Sequence, residues 1–422
     1  MADEDRFAKG DLNSVMAAYP HVADWVRDFE SRYGTRPIYY GPLDRDAKKE
    51  RPLNLIYSAK EPIFIHIYEP PEDDDGSGGE ILWFGLEPQL TEEEENMRRD
   101  LVETLLQEAP TAPTFTTDGE FENILTQMVD RYTVLESDVS AAPRRQGRLW
   151  EMIGMDDKRV IVTPEQRARL EYIIIRDLIK NGPLEPLLSD EMLEDIHSIG
   201  LKHIHMDHKV FGMVTSNIRF RERELLSRYL RAMSERIGRP VSDNKPIIDG
   251  ALLDGSRINI IFSDDVSMLG PSFTIRKFAE ETISIIQLIK WGTISSQVAA
   301  YIWICLEYGM SVLVSGETAS GKTTTLNAIL PFIDHNVKIY SAEDTPEVKV
   351  RHKIWQRLVT RDSKNEESRV EMFDLLKAAL RSRPRYIIIG EIRGVEGATA
   401  FQAMQTGHPV IATFHASSIV KM

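Results

Sequence analysis

The eight residues GETASGKT, at positions 316–323, constrain the fold of this chain more than any other segment. They match the pattern G-x-x-x-x-G-K-[ST] at every position, and they lie between a strand-like run, SVLVS, and a helix-like run, TTTLNAIL. Gly316 and Gly321 let the backbone curl until successive N–H groups point inward, and the positive end of the following helix adds to the attraction for an anion. The segment therefore predicts a phosphate-binding loop.

The polar residues of this loop have predicted tasks. Lys322 is expected to reach the β- and γ-phosphates of a nucleotide, and the Thr323 hydroxyl is expected to ligate Mg²⁺. ATP and Mg²⁺ are therefore the predicted cofactors. A chance glycine-rich turn is the alternative, but the strand before the loop and the helix after it argue against that. The residues predicted to bind the nucleotide are Gly316, Glu317, Thr318, Ala319, Ser320, Gly321, Lys322, Thr323 and Thr324.

Two further apolar runs end in acidic residues. RYIIIGE, at 385–391, places Glu391 where a phosphate-loop ATPase has its magnesium-facing carboxylate, so Glu391 is expected to hold the metal through water or to polarise the attacking water. YSAEDTPE, at 340–347, places Glu343 and Asp344 at a strand end, where a carboxylate can accept a proton from that water. The alternatives are a solvated glutamate at the first site and an Asp-Thr-Pro turn without chemistry at the second.

Two histidines bracket the strand-like run PVIATF. His408 precedes it, and His415 lies at its carboxyl end, the edge of a parallel sheet where ligands gather. His415 is predicted to sense the γ-phosphate through a hydrogen bond, with a structural role as the equal alternative. Neither HxH nor HExxH spacing occurs here, so this stretch does not predict a metal site.

Composition limits the class of protein. The chain has 422 residues, 42% of them apolar, which predicts two or three domains. A net charge of −15 argues against broad nucleic-acid binding. The single cysteine, Cys305, excludes a disulfide framework and is expected to be a small core residue in a reducing compartment. No apolar run reaches about 18 residues, and the N-terminus has no signal-peptide pattern, so a cytoplasmic protein is predicted.

Three blocks are expected along the chain. Residues 1–140 predict an accessory domain with strands at PLNLIYS and PIFIHIYEP and a helix from Glu92 through Leu106. Its acidic runs, at 71–80 and 92–95, predict solvated faces, with a partner-docking surface as the alternative. A loop is expected at 110–118 and a hinge at 141–148.

The later blocks have clearer patterns. Residues 150–280 predict a small α/β domain with a helix that begins at Pro164, strands at KHIHMDHKVFG, SNIRF, SRINIIF and SFTIRKF, and a helix over 222–237. Residues 283–422 alternate apolar strands with helices, which predicts a parallel sheet buried on both faces. The predicted fold class is therefore α/β, with the phosphate loop in the last domain.

Four motifs now stand in order: GETASGKT, YSAEDTPE, IIIGEIRG and TGHPVIATFHAS. In this order, and with Gly-Glu at the end of the third, they resemble the secretion ATPase superfamily of type II and type IV systems. PLEPLLSD, DGSRIN and SFTIRKF resemble the same family, so the likeness covers about residue 170 to the end. VEGATAFQAMQTGHPVIATFHAS is most similar to the archaeal branch, and within it to archaellum motor ATPases.

The resemblance implies roles for individual residues. Glu343 becomes the catalytic carboxylate, Glu391 the acid that faces Mg²⁺, and His415 the histidine near the phosphate. In the family, arginines reach the bound nucleotide, partly from a neighbouring subunit, where guanidinium groups neutralise charge on the transferred phosphoryl. A surface ion pair is the alternative for each of them. The matching arginines are Arg257, Arg276, Arg351, Arg357 and Arg361.

The resemblance also implies an assembly and a task. It implies a RecA-like core, a homo-hexamer, and ATP hydrolysis that drives the assembly or rotation of an archaellum or type IV pilus-like filament. The motor would work through a membrane platform protein, at the inner face of the membrane, with cytoplasmic regulators and without direct nucleic-acid contact. An archaeal pilus or secretion ATPase, a DNA-moving motor and a slow nucleotide-gated scaffold are the alternatives. Since the family continues into a helical C-terminal domain, a fragment is expected.

Overall fold

The computed structural model describes residues 11–43, 45–71, 79–111, 113–115, 117–137, 159–263, 265–277, 282–317, 320–361, 369–392, 394 and 396–416. The chain divides into two compact units, Met1–Lys277 and Phe278–Met422, and each is described here by itself. This division lies close to the boundary expected between 280 and 283. The hinge predicted at 141–148 and most of the acidic run at 71–80 lie outside the described residues.

A mixed sheet forms the centre of the first unit. Among the residues described there, ten strands join it in the order β1-β2-β3-β4-β9-β8-β7-β12-β11-β10, and β5 and β6 form a separate pair. The strands are β1 (Ile38–Tyr39), β2 (Asn54–Lys60), β3 (Ile63–Tyr68), β4 (Leu82–Leu86), β5 (Thr133–Leu135), β6 (Val160–Val162), β7 (Leu193–Ile199), β8 (His205–His208), β9 (Gly212–Ser216), β10 (Ile247–Ala251), β11 (Arg257–Ile261) and β12 (Ser272–Arg276).

Some helices of this unit pack against the sheet through an apolar stripe, whereas the helices at Glu92–Glu108, Asp118–Tyr132 and Pro164–Leu178 pack mainly against one another. The helices of the unit are α1 (Leu12–Ala18), α2 (Pro20–Tyr33), α3 (Glu92–Glu108), α4 (Asp118–Tyr132), α5 (Pro164–Leu178), α6 (Glu185–Ser189) and α7 (Arg223–Arg236), with short 3-10 turns at Arg45–Lys49, Ala109–Thr111 and Gly182–Leu184. α5 begins with Pro164, as predicted, after a Thr163 side chain that accepts from the backbone N–H of Gln166.

Residues on both sides of the predicted boundary at 140–150 share this sheet. β4 pairs in parallel with β9, with Leu82 opposite Thr215. The buried carboxylate of Asp190 joins the same two segments, because it accepts hydrogen bonds from Tyr57 Oη at 2.7 Å and Trp83 Nε1 at 2.9 Å. Because a buried carboxylate must keep its donors, this cluster holds the 1–140 segment to the following one. The sequence pattern of two separate blocks did not indicate this shared sheet.

Two local predictions in the first unit need correction. SNIRF is not a strand: after β9 ends at Ser216, the Ser216 hydroxyl accepts from the N–H of Ile218 at 2.9 Å, which turns the chain. The acidic run 92–95 is not wholly solvated, because Glu94 is buried. Glu94 closes the N-terminus of α3 with Thr91 and pairs with Arg169 of α5.

The second unit contains the predicted parallel sheet. In its described part, five parallel strands have the order β13-β17-β16-β14-β15. They are β13 (Val312–Gly316), β14 (Ile339–Glu343), β15 (Trp355–Val359), β16 (Tyr386–Ile392) and β17 (Val410–His415). The helices are α8 (Ile285–Lys290), α9 (Ser296–Glu307), α10 (Lys322–Ile329), α11 (Met372–Ser382) and α12 (Glu396–Gln405), with a 3-10 turn at Leu330–Phe332.

Both faces of this sheet are covered, as the continuous apolar runs predict. On one face, which we call the α10 face, Leu326 and Ile329 of α10 pack against Ile339, Ile388 and Ile411 of the strands. On the other, the α11 face, helices α11 and α12 supply the partners. The strand residues in the α11-face core are Tyr340, Ala342, Ile387, Ile389, Ile392, Val410 and Ala412.

No helix within the described residues is both long and apolar enough to cross a membrane.

Candidate nucleotide-binding site

The predicted phosphate loop joins β13 to α10, as the sequence pattern requires. Gly316 ends the strand, and a Cβ at this position would lie 2.4 Å from Ser320 Oγ, so a larger residue would force the Ser320 side chain to move. Gly321 caps α10 with φ +83°, a left-handed conformation that glycine adopts without strain. The side chain of Lys322 donates to the Glu317 carbonyl at 2.8 Å, which places its ammonium across the loop. Thr318 and Ala319 lie outside the described residues.

The helix that follows is anchored below the loop. Leu326, Ala328 and Ile329 are buried, while Lys322 and Thr323 in the first turn are half-buried. The free N–H groups of this turn and the helix dipole therefore face the loop, and they attract negative charge. This is the arrangement that binds a phosphate.

Strand β17 brings His415 to the loop. Gly316 of β13 and His415 of β17 are register partners, and both stand at the carboxyl ends of their strands. Half of the His415 side chain is exposed. The prediction that His415 lies at the ligand-binding edge therefore agrees with its position, and its γ-phosphate contact stays a prediction. His408 lies at the far end of the same strand, where Thr406 and the backbone contact it.

Strand β16 carries Glu391 past an irregularity. The pairing of β16 with β17 shifts register between Ile389 and Ile392, so Gly390 and Glu391 together oppose one residue of β17. The Oε1 atom of Glu391 lies 4.0 Å from His415 Nδ1, and a quarter of its side chain is exposed. Two residues from different motifs thus meet at the carboxyl edge, beside the end of the loop strand.

Glu343 ends β14 and is fully buried. Its Oε1 atom accepts from the backbone N–H groups of Glu347 at 2.8 Å and Val348 at 2.6 Å, while Oε2 has no hydrogen bond to any described residue and lies 3.5 Å from Arg357 Nε. Burial raises the pKa of the Glu343 carboxyl, although the two N–H groups and the Arg357 guanidinium oppose that shift. A carboxylate with a raised pKa and one oxygen without a donor is suited to accept a proton.

The loop helix holds the segment after Glu343 in place. Asn327 of α10 donates from Nδ2 to the Glu347 carbonyl at 3.0 Å, and its Oδ1 accepts from the N–H of Lys349 at 2.9 Å. The N–H groups that bind Glu343 therefore belong to a segment fixed by the phosphate-loop helix. Asp344, next in sequence, is exposed and accepts from the Thr360 hydroxyl at 3.1 Å.

The five predicted arginines fall into two groups. In the second unit, Arg357 faces Glu343 and stacks over the Trp355 ring at 5.1 Å, whereas Arg351 and Arg361 are exposed on the strand region that follows β14. In the first unit, Arg257 and Arg276 are exposed register partners on β11 and β12. The structure thus gathers Arg357 with Glu343 and pairs Arg257 with Arg276.

The donors present fit Mg²⁺ bound with a nucleotide. Thr323 offers a hydroxyl and Glu391 a carboxylate, the hard oxygen ligands that Mg²⁺ prefers. Among the described residues, no group of three His, Cys, Asp or Glu side chains is arranged to hold a metal ion by itself. Because Mg²⁺ in such sites takes one or two protein ligands and completes its shell with phosphate and water, a small donor set is what this cofactor needs.

Three residues of this site were given no role of their own by the sequence patterns: Asn327, Gly390 and Thr413. Asn327 lies four residues past the loop motif, inside the predicted helix. Asparagine is a poor helix former, so its presence there is the sequence signal that could have identified this residue. Gly390 occupies the place where a carboxylate is more usual, and a Cβ there would lie 3.2 Å from Glu343 Cγ. Thr413 is a buried polar residue in an apolar strand, and its hydroxyl donates to the Gly390 carbonyl at 2.6 Å.

Comparison with known proteins agrees with this geometry. The model of the family described as type II/IV secretion system protein matches residues 177–422, close to the start near 170 that the motifs indicated. An uncharacterised protein of Methanocaldococcus jannaschii is 50% identical over 98% of this chain and 74% of its own length. The conjugal transfer protein TrbB of Rhizobium radiobacter is 34% identical over 42% of the chain and 54% of that protein.

A solved structure, the ATPase DotB of Legionella pneumophila, is 20% identical over 57% of this chain and 66% of that chain, with a TM-score of 0.42. The family assignment does not depend on that structure, because the family model alone covers more than half of the chain. The parallel sheet with its loop strand beside β17 is the RecA-like fold that was predicted. The chain therefore belongs to the type II/IV secretion system protein family.

Proposed function

We propose that this chain binds Mg-ATP at the carboxyl edge of the β13–β17 sheet and hydrolyses it. One observation carries the proposal: Gly316, His415, Glu391 and Glu343 come from four separate motifs, and each lies at or within one residue of the carboxyl end of its strand, at one edge of the sheet. Strand β17, which carries His415, lies between the loop strand and the strand of Glu391. A chain with only a chance glycine-rich turn has no reason to collect these groups there.

In this proposal, each residue of the site has its own role in binding or hydrolysis. Lys322 and the N–H groups of the first turn of α10 hold the β- and γ-phosphates, and Thr323 and Glu391 hold Mg²⁺, directly or through water. The metal neutralises charge on the phosphates. Glu343 takes the proton of the attacking water, and His415 hydrogen-bonds the γ-phosphate. Arg257, Arg276, Arg351, Arg357 and Arg361 supply further positive charge for the transferred group.

We further propose that the chain is a subunit of a homo-hexameric motor of the archaellum or type IV pilus kind. ATP hydrolysis would drive filament assembly or rotation through a membrane platform protein, with the motor at the inner face of the membrane. Helix α9 supports an assembly, because Tyr301, Trp303 and Ile304 expose 68%, 53% and 55% of their surfaces. In this proposal, these exposed apolar side chains contact another copy of the chain in the assembly.

The test is Mg-ATP turnover per subunit as a function of protein concentration, with Lys322→Ala as the blank. Turnover that rises with concentration and vanishes in the variant supports sites completed by assembly. Turnover that is real but independent of concentration supports hydrolysis and rejects contributions between subunits. Wild-type turnover equal to the blank rejects the enzyme and favours a nucleotide-gated scaffold.

A second candidate is a motor for macromolecular transfer, including DNA. The similarity to a conjugal transfer protein favours it. The net charge of −15 weighs against it, since a DNA-moving surface needs clustered lysine and arginine. Turnover that rises several-fold on addition of single- or double-stranded DNA, and falls again with salt, would select this candidate over the filament motor.

A further inference from the structure

We infer that Thr413 is a positioning residue that holds Glu391 on the α10 face of the sheet. The inference rests on the proposed function, because it assigns Glu391 to the nucleotide site. In this role, Thr413 itself contacts neither nucleotide nor metal. It acts through the backbone of Gly390, the residue before Glu391.

The pattern of core residues shows what the irregularity in β16 does. Side chains alternate between faces along a strand, and Ile387 and Ile389 both belong to the α11-face core, while Ile388 belongs to the α10-face core. Continued alternation would send the side chain of residue 391 into the apolar α11-face core. Instead Ile392 occupies that core. The extra residue thus shifts the alternation by one.

The shift changes the face on which Glu391 stands. Because Ile392 points to the α11 face, its neighbour Glu391 stands on the α10 face, together with the loop helix. The distance of 4.0 Å from Glu391 Oε1 to His415 Nδ1 agrees, since His415 lies four residues after Ile411 of the α10-face core and so stands on the same face. A β-bulge is a recurrent means of re-aiming a side chain next to an active site.

Thr413 is the residue opposite this bulge. Ala412 pairs with Ile389 and Phe414 with Ile392, which leaves Thr413 facing both Gly390 and Glu391. Its hydroxyl donates to the Gly390 carbonyl at 2.6 Å, and only 1% of Thr413 is exposed. A bulge interrupts the ladder of backbone hydrogen bonds, so a buried side-chain donor at this point stabilises the irregular register over the regular one.

Labelling of a thiol at position 391 measures the register of β16 without any measurement of activity. Glu391→Cys in a Cys305→Ala background places one thiol at the bulge, and its rate of reaction with a maleimide reports whether position 391 is accessible. Adding Thr413→Val, which keeps the shape and removes the hydroxyl, is expected to slow labelling by about tenfold, the factor expected for one lost hydrogen bond. Thr413→Ser keeps the hydroxyl and is expected to label at the original rate. Thr399→Val, at another buried threonine, is the control.

Turnover supplies the second measurement, in the chain with its native Glu391. Thr413→Val is expected to lower kcat by about tenfold or more, as small misplacements of a catalytic group do, and to leave the KM for ATP within about twofold. In a Glu391→Gln background the same change is expected to have no further effect. Unchanged labelling in Thr413→Val, or an equal loss of kcat in both backgrounds, overturns the inference. If wild-type turnover equals that of Lys322→Ala, the proposed function fails, and the labelling rates still decide the role of Thr413.

Discussion

Arg257 and Arg276 are register partners on adjacent antiparallel strands, so two guanidinium side chains stand on one face of the sheet at directly opposed positions. Like charges in such a pair repel, and the carboxylate of Asp195 lies 3.9 Å from Arg276 Nε. An anion that lies across the pair would offset this repulsion. We therefore expect Arg257→Gln to raise the unfolding midpoint without nucleotide and to lower ATP turnover.

Thermal unfolding and turnover, measured on the same preparations, check this prediction. The rise in midpoint should shrink at high salt, which screens exposed charges. Arg228→Gln, on the exposed surface of α7, is the matched control and should change neither quantity. If Arg257→Gln lowers the midpoint and leaves turnover intact, Arg257 makes a surface ion pair and has no part in the reaction.

Glu343→Gln should raise the stability of the protein in a pH-dependent way while it abolishes turnover. Burial raises the pKa of this carboxyl above the ordinary 4.5, so the folded protein binds this proton more tightly than the unfolded chain does. The stabilisation that comes from this tighter proton binding is complete below pH 4.5. It is lost as the pH rises through the pKa that the Glu343 carboxyl has in the folded protein. The glutamine variant should therefore unfold at a higher temperature than wild type at pH 7 to 8, with a gap that closes toward pH 4.5, and it should lack turnover. A gap that does not vary with pH would show that the carboxyl titrates normally.

Acid should weaken the first unit through His208. Its Nδ1 accepts from the N–H groups of Val210 and Phe211, and burial lowers its pKa from 6.5 to about 4, so the fold needs the neutral ring. The contribution of a histidine with a lowered pKa is complete above pH 6.5 and is lost as the pH falls toward about 4. Urea unfolding of the full chain from pH 7.5 to 4.5 should show this decline. It should be shallower in His208→Gln, and an identical slope in both would remove His208 as its source.

Much of the site could be predicted from sequence because its strands are short apolar runs that end in polar residues. β13, β14, β16 and β17 begin within a residue of where SVLVSG, KIYSAE, RYIIIGE and PVIATFH indicate, and the helix expected over 222–237 is observed as Arg223–Arg236. Local periodicity contains this information, since each element buries a face or a stripe of its own. The family likeness supplied the roles that periodicity cannot.

The features that could not be predicted from the sequence depend on contacts between segments that are far apart along the chain. β15 (Trp355–Val359) was missed because its exposed edge gives a weak apolar pattern. The bulge at Gly390 is invisible in sequence, since it arises from the pairing with β17. The burial of Glu94 follows from Arg169, which is 75 residues away along the chain.

The Glu94 carboxylate should matter far more than its neighbours in the same acidic run. It accepts from the N–H of Thr91 at 2.8 Å and from Arg169 of α5, and only 1% of it is exposed. Glu94→Ala removes a helix cap and leaves a half-buried guanidinium without this partner, a loss of about 3 kcal/mol in the free energy of unfolding. Glu92→Ala and Glu93→Ala, both exposed, should each change it by about 0.5 kcal/mol or less. Equal effects at all three positions, measured by urea unfolding, would mean that the run acts only through its summed charge.

Gly390→Ala tests whether the missing side chain at the end of β16 makes room for Glu343. An added Cβ would lie 3.2 Å from Glu343 Cγ, tighter than ordinary contact, and Glu343 cannot yield freely because the N–H groups of Glu347 and Val348 hold its carboxylate. The variant should fold, since a shift of a few tenths of an ångström relieves the contact. The displaced carboxylate should nonetheless lower kcat by about tenfold or more.

Gly407→Ala, where open space surrounds the added carbon but φ is +86°, is the control for backbone strain and should reduce stability without a specific loss of kcat. If Gly390→Ala retains full turnover, the approach of the two strand ends is a packing detail and Glu343 tolerates displacement. If turnover falls while the affinity for Mg-ATP stays the same, the glycine is needed to place the proton acceptor.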